Sequence, residues 1–483
     1  MGVAQLTLET QADRDKAELL RVFDSHHAPV DPISLARLHA GVEDADLAAP
    51  AIALPDFHLK DDKEMPSSIA VATRNTIRPT FTSASVNCGM ALMALDIDRP
   101  ATSAVTDFFR RVRERFPYPP TYRRDLSPDE VVRCASEGAQ FAADRFEVDP
   151  SELERVEEWG CLDVGRYGGV DRVRKELPWS VKQLSRIRFA TIGKSNHFIE
   201  FQEVEEVLDA EVADLLGVRQ GQVTLQFHGG GGSLPGELGL LFGRRKRYPR
   251  PVRVQMAIQK PLFHLARVRS LDELRARKAL YFSRDFPPVE RDGPEGERLM
   301  LANAMAMNYG FAFRLAAYAN LRALLRESLG TLETRLVVDS PHNSIYEEEV
   351  DGEVALVHRH NTARVYPASR MGDHPTFGKT GQAILVPGNE RTTSYLCVAA
   401  DEAHRSLYSA CHGAGTNIER FVAGGLTAPD PQARMTLRYD YSGAGPREVP
   451  QLDDRGIDDV VGVLARNRIA RPVARLRPLA VLS

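Results

Sequence analysis

The sequence predicts an α+β fold, with a mixed α/β arrangement as the alternative, and three observations predict it. The stretch from Glu297 to Leu329 is rich in Ala, Leu and Met, holds no Pro and stops at Gly330. That is the composition and stop signal of one long helix or of two. Short apolar or β-branched runs, Val252 to Ile258 and Ala383 to Val386, read as strands. Helical and strand-like stretches alternate irregularly, with no internal repeat and no low-complexity tract, which suits helices and sheets sharing one core.

In chain order, Ser127-Pro128-Asp129-Glu130 opens a helix. Ser is the N-cap, Pro the first helical residue, and Glu at the third position completes a capping box. Val223, Leu225 and Phe227 alternate as in a half-buried strand, which runs through His228 into four glycines, Gly229 to Gly232. The segments 235–251 and 286–296 read as loops inserted in a single large domain spanning 1–483. Pro387-Gly388-Asn389-Glu390 is a turn, with Ser394 shortly after it.

Composition narrows the function classes. Hydrophobic residues at 43% and charged residues at 27% are ordinary for a globular protein of 483 residues. No run of 18 apolar residues is present, and Met1 to Thr10 lacks a basic stretch followed by an apolar one, so a cytoplasmic protein is expected. The five cysteines form no CxxC pair, which points to a reducing compartment. A net charge of −4 excludes a surface coated in positive charge. It leaves room for a local nucleic-acid path, and three basic clusters stand out: Arg110-Arg111-Val112-Arg113, Arg244 to Arg247 with Arg250 and Arg253, and Arg471 to Arg477. Taken singly, each is more simply a solvated face.

Five distant segments carry the chemistry. They are Val86-Asn87-Cys88-Gly89, Lys194 to Glu200, Phe227 to Ser233, Pro341-His342-Asn343 and Cys411-His412-Gly413-Ala414-Gly415. A thiolate can bridge metal ions, and borderline metals accept mixed sulfur and nitrogen ligands, so Cys88 and the four His of these segments sit in settings that suit metal binding and phosphoryl chemistry. A lone Cys or His is more often a buried core residue, so the weight lies on the combination. His412 precedes Gly413-Ala414-Gly415 and has little steric cover. A neutral imidazole attacks phosphorus, and glycine amides beside it can hold phosphate oxygens.

Jointly and in this order, these segments resemble the RtcB family of RNA ligases, from about Pro55 to the C-terminus. Asp56-Phe57-His58, Asn87-Cys88-Gly89-Met90, Gly193 to Glu200, His228 onward, Pro341-His342-Asn343, Val357-His358-Arg359, Pro387-Gly388 and Ser409 to Gly415 carry the resemblance. It implies one RtcB-like domain of mixed sheets and helices around a central metal and nucleotide cleft. It implies that Cys88, His197, His228 and His342 bind two Mn²⁺ ions, with Cys88 bridging. It implies that His412 attacks GTP and carries GMP as a covalent guanylate. Asn196, His197, Phe198, Ile199, Glu200, His342, Asn343, Pro387, Gly388, Asn389, Glu390, Ser394, His412, Gly413, Ala414 and Gly415 would line the nucleotide site. The partners would be RNA ends, a 3′-phosphate or 2′,3′-cyclic phosphate joined to a 5′-hydroxyl.

The chain departs from the family's pattern at Ser85 (an Asp ligand in the family), at Gly229 to Gly231 (hydroxyls lost), and at His360, Glu390, Thr416 and Leu482. Positive charge is lost at three of these positions and negative charge is gained at Glu390. A triphosphate site is disfavoured by such changes, at roughly 1.5–3 kcal/mol per lost charge-assisted contact. The resemblance therefore implies a divergent paralogue of altered specificity. The alternatives are a metal-dependent RNA-end phosphoesterase and a catalytically impaired RNA-binding protein.

Overall fold

The computed structural model describes residues 19–60, 63–118, 121–193, 197–243, 249–283, 287–330 and 333–483. Its spine is one helix, Pro294–Leu329, of 36 residues. Pro294 sits at its start, where a missing N–H costs nothing, and Gly330 ends it at φ +84°. From Leu299 to Ala319 nearly every residue is buried, so this helix is apolar on all faces and runs through the core. The helices Thr102–Arg115, Pro128–Glu137, Ala139–Phe146 and Ser233–Phe242 pack around it. Ser127 caps Pro128–Glu137 with the reciprocal Ser127–Glu130 bonds that the sequence predicts.

Helices and sheets mix as an α+β fold. The largest sheet has nine strands. Its main path runs Ala383–Val386, Ser394–Ala399, Ala470–Leu482, Phe198–Val207, Val223–Gly229, Gly89–Leu95, Thr334–Pro341. Neighbours along this path are antiparallel. A second sheet, of five strands, holds Leu20–Val22, Ala51–His58, Ser67–Thr73, Glu353–His360 and Asn343–Val350 in that order. The chain crosses from one sheet to the other at His342, which lies between the strand ending at Pro341 and the strand starting at Asn343. A short ribbon, Thr362–Arg364 paired with Ser409–Cys411, follows from the second sheet.

Three expectations need correction. Val252 to Ile258 is not a strand; it lies inside the helix Arg250–Leu265. Val254, Ile258 and Leu262 recur every fourth residue, and Pro251 suits a helix start, so spacing outweighs the β-branched composition. Segment 235–251 is not a loop throughout, because Ser233–Phe242 is a helix that buries Leu234, Leu238 and Leu241. Nor is the described part of 286–296 only loop: Val289–Glu290 pairs with Thr76–Ile77, and the long helix begins at Pro294. Ala383–Val386 is a strand, as expected.

Two basic clusters are matched by carboxylates. Arg110 and Arg111 pair with Asp107, Glu114 and Glu327, and Arg471, Arg475 and Arg477 pair with Asp209, Glu206, Asp458, Glu205 and Asp454. The Arg244 to Arg247 cluster lies outside the described residues.

Candidate functional site

Four neighbouring strands of the nine-stranded sheet end at the same place. Gly89 is level with Gly229 on one side and Pro341 on the other, and Phe198 is level with His228. Cys88 immediately precedes the first of these strands, His197 precedes another, His228 is the penultimate residue of a third, and His342 follows the fourth. Register alone therefore brings one thiol and three imidazoles to one sheet end. Cys88 Sγ lies 3.2 Å from His228 Nε2 and 3.7 Å from His197 Nε2. Cys88, His228 and His342 each offer a ligand atom within 4.8 Å of the others, and all three are buried.

The main chain ties the nucleophile candidate to this cluster. The His342 N–H donates to the Cys88 carbonyl at 2.9 Å, and the Thr362 N–H donates to the His342 carbonyl at 2.9 Å. Thr362 pairs with Cys411, so His412 emerges beside His342, with ring centroids 4.3 Å apart. The Asn361 backbone holds the His412 ring through a hydrogen bond. Burial first, then the proximity of His58 and Lys60, brings His412 down to about 4, so at neutral pH its imidazole is uncharged.

Electrostatics favours a cation in the cluster. Burial brings His197 down to about 4, with Arg188 adding to it, and holds His342 well below the ordinary histidine range. Both rings are thus neutral ligands near pH 7. Burial pushes the Cys88 thiol up to about 11, with Arg314 opposing, so only a bound cation would make the thiolate favourable there. His342 Nδ1 is buried with no hydrogen-bond partner among the described residues. An orphaned ring nitrogen beside a thiol and a second imidazole is the donor set a divalent metal takes.

A scaffold the sequence reading missed holds Cys88 in place. Arg314, wholly buried in the long helix, grips Asp339 through Nε and Nη2 at 2.7–3.0 Å and donates to the Asn87 carbonyl and side chain. Asn87 has φ +55°, and its side chain donates to the Met307 carbonyl. A Cβ on Gly310 would meet the Asn87 side chain at 2.7 Å, and one on Gly89 would meet Arg314 at 2.7 Å. These two glycines let the helix and the cysteine turn approach. Gly230 closes the other side, where a Cβ would lie 3.3 Å from the His197 ring.

The other predicted residues fall into two groups. One forms a linked wall: Glu200, Ser394 and Gly388 connect through Gln202, whose side-chain nitrogen reaches Glu200 at 2.5 Å and Ser394 at 3.3 Å. The Gly388 N–H donates to Ser394 at 3.1 Å, and the Ala414 N–H donates to the Pro387 carbonyl at 3.1 Å. The turns 387–389 and 413–415 therefore abut. Burial pushes Glu200 up to about 8, Gln202 opposes, and Glu390 adds to the rise, so Glu200 is largely protonated at pH 7. The Asn343 side chain donates to the Ser85 carbonyl at 3.0 Å and accepts from the Asn361 N–H at 2.8 Å, which braces the His412 side. Asn389 caps its own turn through Arg391 and Thr392.

The second group points elsewhere or is committed. Ile199 is wholly buried in the main core, paired between Leu482 and Phe227. Phe198, partly buried, packs edge-on against His228 at 5.8 Å. Glu390 forms an ion pair with Arg438 at 2.8 Å. Thr416 contacts His58 at 3.1 Å, while Asp56 accepts from the Asn417 N–H at 2.9 Å. Leu482 is buried opposite Ile199. Asn196 lies outside the described residues. Among the described residues no helix is long and apolar enough to cross a membrane.

Comparison with known proteins gives one consistent answer. Residues 42–483 match the family described as tRNA-splicing ligase RtcB. A tRNA-splicing ligase RtcB of Pyrococcus abyssi is 28% identical over 71% of this chain and 36% of its own length, so this chain spans little more than a third of that relative. The protein of the same name from Nanoarchaeum equitans is 26% identical over 84% of this chain and 81% of its own length. That from Thermococcus kodakarensis is 25% identical over 85% and 82% respectively.

Proposed function

This chain belongs to the RtcB family, and from that premise we propose that it ligates RNA ends, a 3′-phosphate or 2′,3′-cyclic phosphate to a 5′-hydroxyl, through GMP carried on His412. The observation that carries the reading is the 4.3 Å approach of the His412 and His342 rings, which puts a neutral imidazole beside a metal-ligand set.

The steps balance. His412 attacks the α-phosphorus of GTP with the ring nitrogen that Asn361 leaves free; the N–P bond forms and pyrophosphate departs. The RNA 3′-phosphate, generated by water opening where the end is cyclic, then displaces His412 and takes the GMP. The 5′-hydroxyl attacks that activated phosphate, and GMP leaves. Cys88, His228 and His342 would hold a divalent cation, which would supply charge neutralisation and alignment for these in-line displacements. The Gly415 amide, at the start of the helix Gly415–Ala423, would face a phosphate oxygen, and the protonated Glu200 would donate a hydrogen bond to the nucleotide base. Arg438 offsets the charge of Glu390, so that carboxylate opposes GTP less than its sequence position implies.

The test uses purified protein with a divalent metal and α-labelled GTP. Label is expected on the wild type and absent from His412→Ala. Phosphate release from RNA ends without protein label would replace this reading with the phosphoesterase.

A further inference from the structure

The ligand atoms at the sheet end are a thiol and imidazoles, and the carboxylates around them are engaged. Asp339 is gripped by Arg314, Glu200 is bonded to Gln202, and Asp56 accepts from the Asn417 N–H. Among the described residues the one three-ligand cluster is Cys88, His228 and His342. Oxygen ligands are what Mn²⁺ and Mg²⁺ prefer, whereas thiolate and imidazole suit zinc-class ions; affinity for a given site rises from Mn²⁺ to Co²⁺ and remains far higher for Zn²⁺ than for Mn²⁺.

Spacing agrees with donor type. With Zn–S of about 2.3 Å and Zn–N of about 2.0–2.1 Å, tetrahedral geometry separates sulfur from nitrogen by roughly 3.6 Å. Cys88 Sγ stands 3.2 Å from His228 Nε2, and His197, although 3.7 Å from Cys88 Sγ, lies outside the set of ligand atoms that fall within 4.8 Å of one another. A second ion on the His197 side would have Cys88 and His197 as its only described side-chain ligands.

We infer that this sheet end holds a single zinc-class divalent ion on Cys88, His228 and His342, with the fourth position open to a phosphate oxygen, and not a manganese pair. Three protein ligands and one open position are the pattern of catalytic rather than structural zinc sites. The inference deepens the metal part of the proposed function and does not require the guanylylation step.

The experiment reads metal, so it stays interpretable whether or not His412 takes up GMP. Full-length protein is stripped with a chelator and titrated with Zn²⁺, Co²⁺ or Mn²⁺, and bound metal is counted by mass spectrometry. One equivalent is expected, with Zn²⁺ held at least about 100-fold more tightly than Mn²⁺. The Co²⁺ form is expected to show intense tetrahedral visible bands and a thiolate charge-transfer band that Cys88→Ser removes. His342→Gln is expected to lose the ion and His197→Gln to keep it; circular dichroism confirms that each variant is folded. Two tightly held Mn²⁺ ions in the wild type, a weak octahedral Co²⁺ spectrum, or loss of the ion in a folded His197→Gln would each overturn the inference.

Discussion

His342 and His264 are both buried histidines with strongly lowered proton affinity, yet the structure gives them opposite jobs. His264 lies face to face with Tyr281, ring centroids 3.6 Å apart, and both of its nitrogens are occupied: Nε2 by the Leu241 carbonyl and Nδ1 by Arg298, each at 3.0 Å. Burial and Arg298 bring it down to about 2. His342 has a buried Nδ1 with no hydrogen-bond partner among the described residues, and a thiol and imidazole in reach. Burial by itself does not distinguish a structural histidine from a ligand. An account of where each ring nitrogen goes does.

The sharpest way to break this contrast is to remove each ring. Cys88→Ala or His342→Ala is expected to lower metal affinity by more than about 100-fold, while His264→Ala leaves metal content unchanged and lowers stability by roughly 2–4 kcal/mol. Metal analysis beside urea unfolding reads both; equal metal loss in all three would erase the distinction.

Arg314→Met comes next. It leaves Asp339 buried and unpaired and is expected to cost roughly 3–5 kcal/mol. Because Arg314 also holds Asn87, the metal affinity of the folded fraction is expected to fall as well. Intact affinity would mean that Cys88 is positioned without this scaffold.

Acid sharpens the structural half. His264 at about 2 and His358 at about 4, both lowered chiefly by burial, lie below the 6.5 expected for an unfolded histidine. The unfolded chain therefore binds protons that the folded chain does not, so the stability contribution is complete above pH 6.5 and falls as pH drops through the window beneath it. The loss approaches 1.4 kcal/mol per group per pH unit, or about 2 kcal/mol each between pH 6.5 and 5. A flat denaturation midpoint over that range would contradict the assignment.

The smallest effect is expected at the wall. Glu390→Gln breaks a partly exposed pair with Arg438 and is expected to change stability by less than about 1 kcal/mol. It removes a neighbour that raises Glu200, so Glu200 is expected to titrate below about 8 when followed by infrared or NMR.

These contrasts also mark what the sequence could convey. The long helix and the Ser127 cap were readable because their signals are local: composition, a stop glycine, a capping box. The strand Val223–Gly229 was readable from period-two alternation. Val252 to Ile258 misled because β-branched content was weighed over the four-residue spacing of Val254, Ile258 and Leu262. The five segments of the site were readable as types of residue in order, but their convergence is a product of strand register, which no local pattern encodes. The Arg314–Asp339 pair left no trace, since a buried ion pair between a helix and a strand has no sequence period. Gly310 could have been found: an isolated glycine inside a helix that tolerates it poorly asks what lies against it.

The crossover at His342 has a mechanical consequence. This residue is the last link of one sheet and the first of the other, while Cys88, His197 and His228 belong wholly to the larger sheet. An ion gripping Cys88, His228 and His342 would work as a rivet through the seam. Sliding one sheet against the other would have to stretch a metal–ligand bond, so an occupied seam also fixes how far His412, riding on the ribbon beyond it, stands from the ligand set.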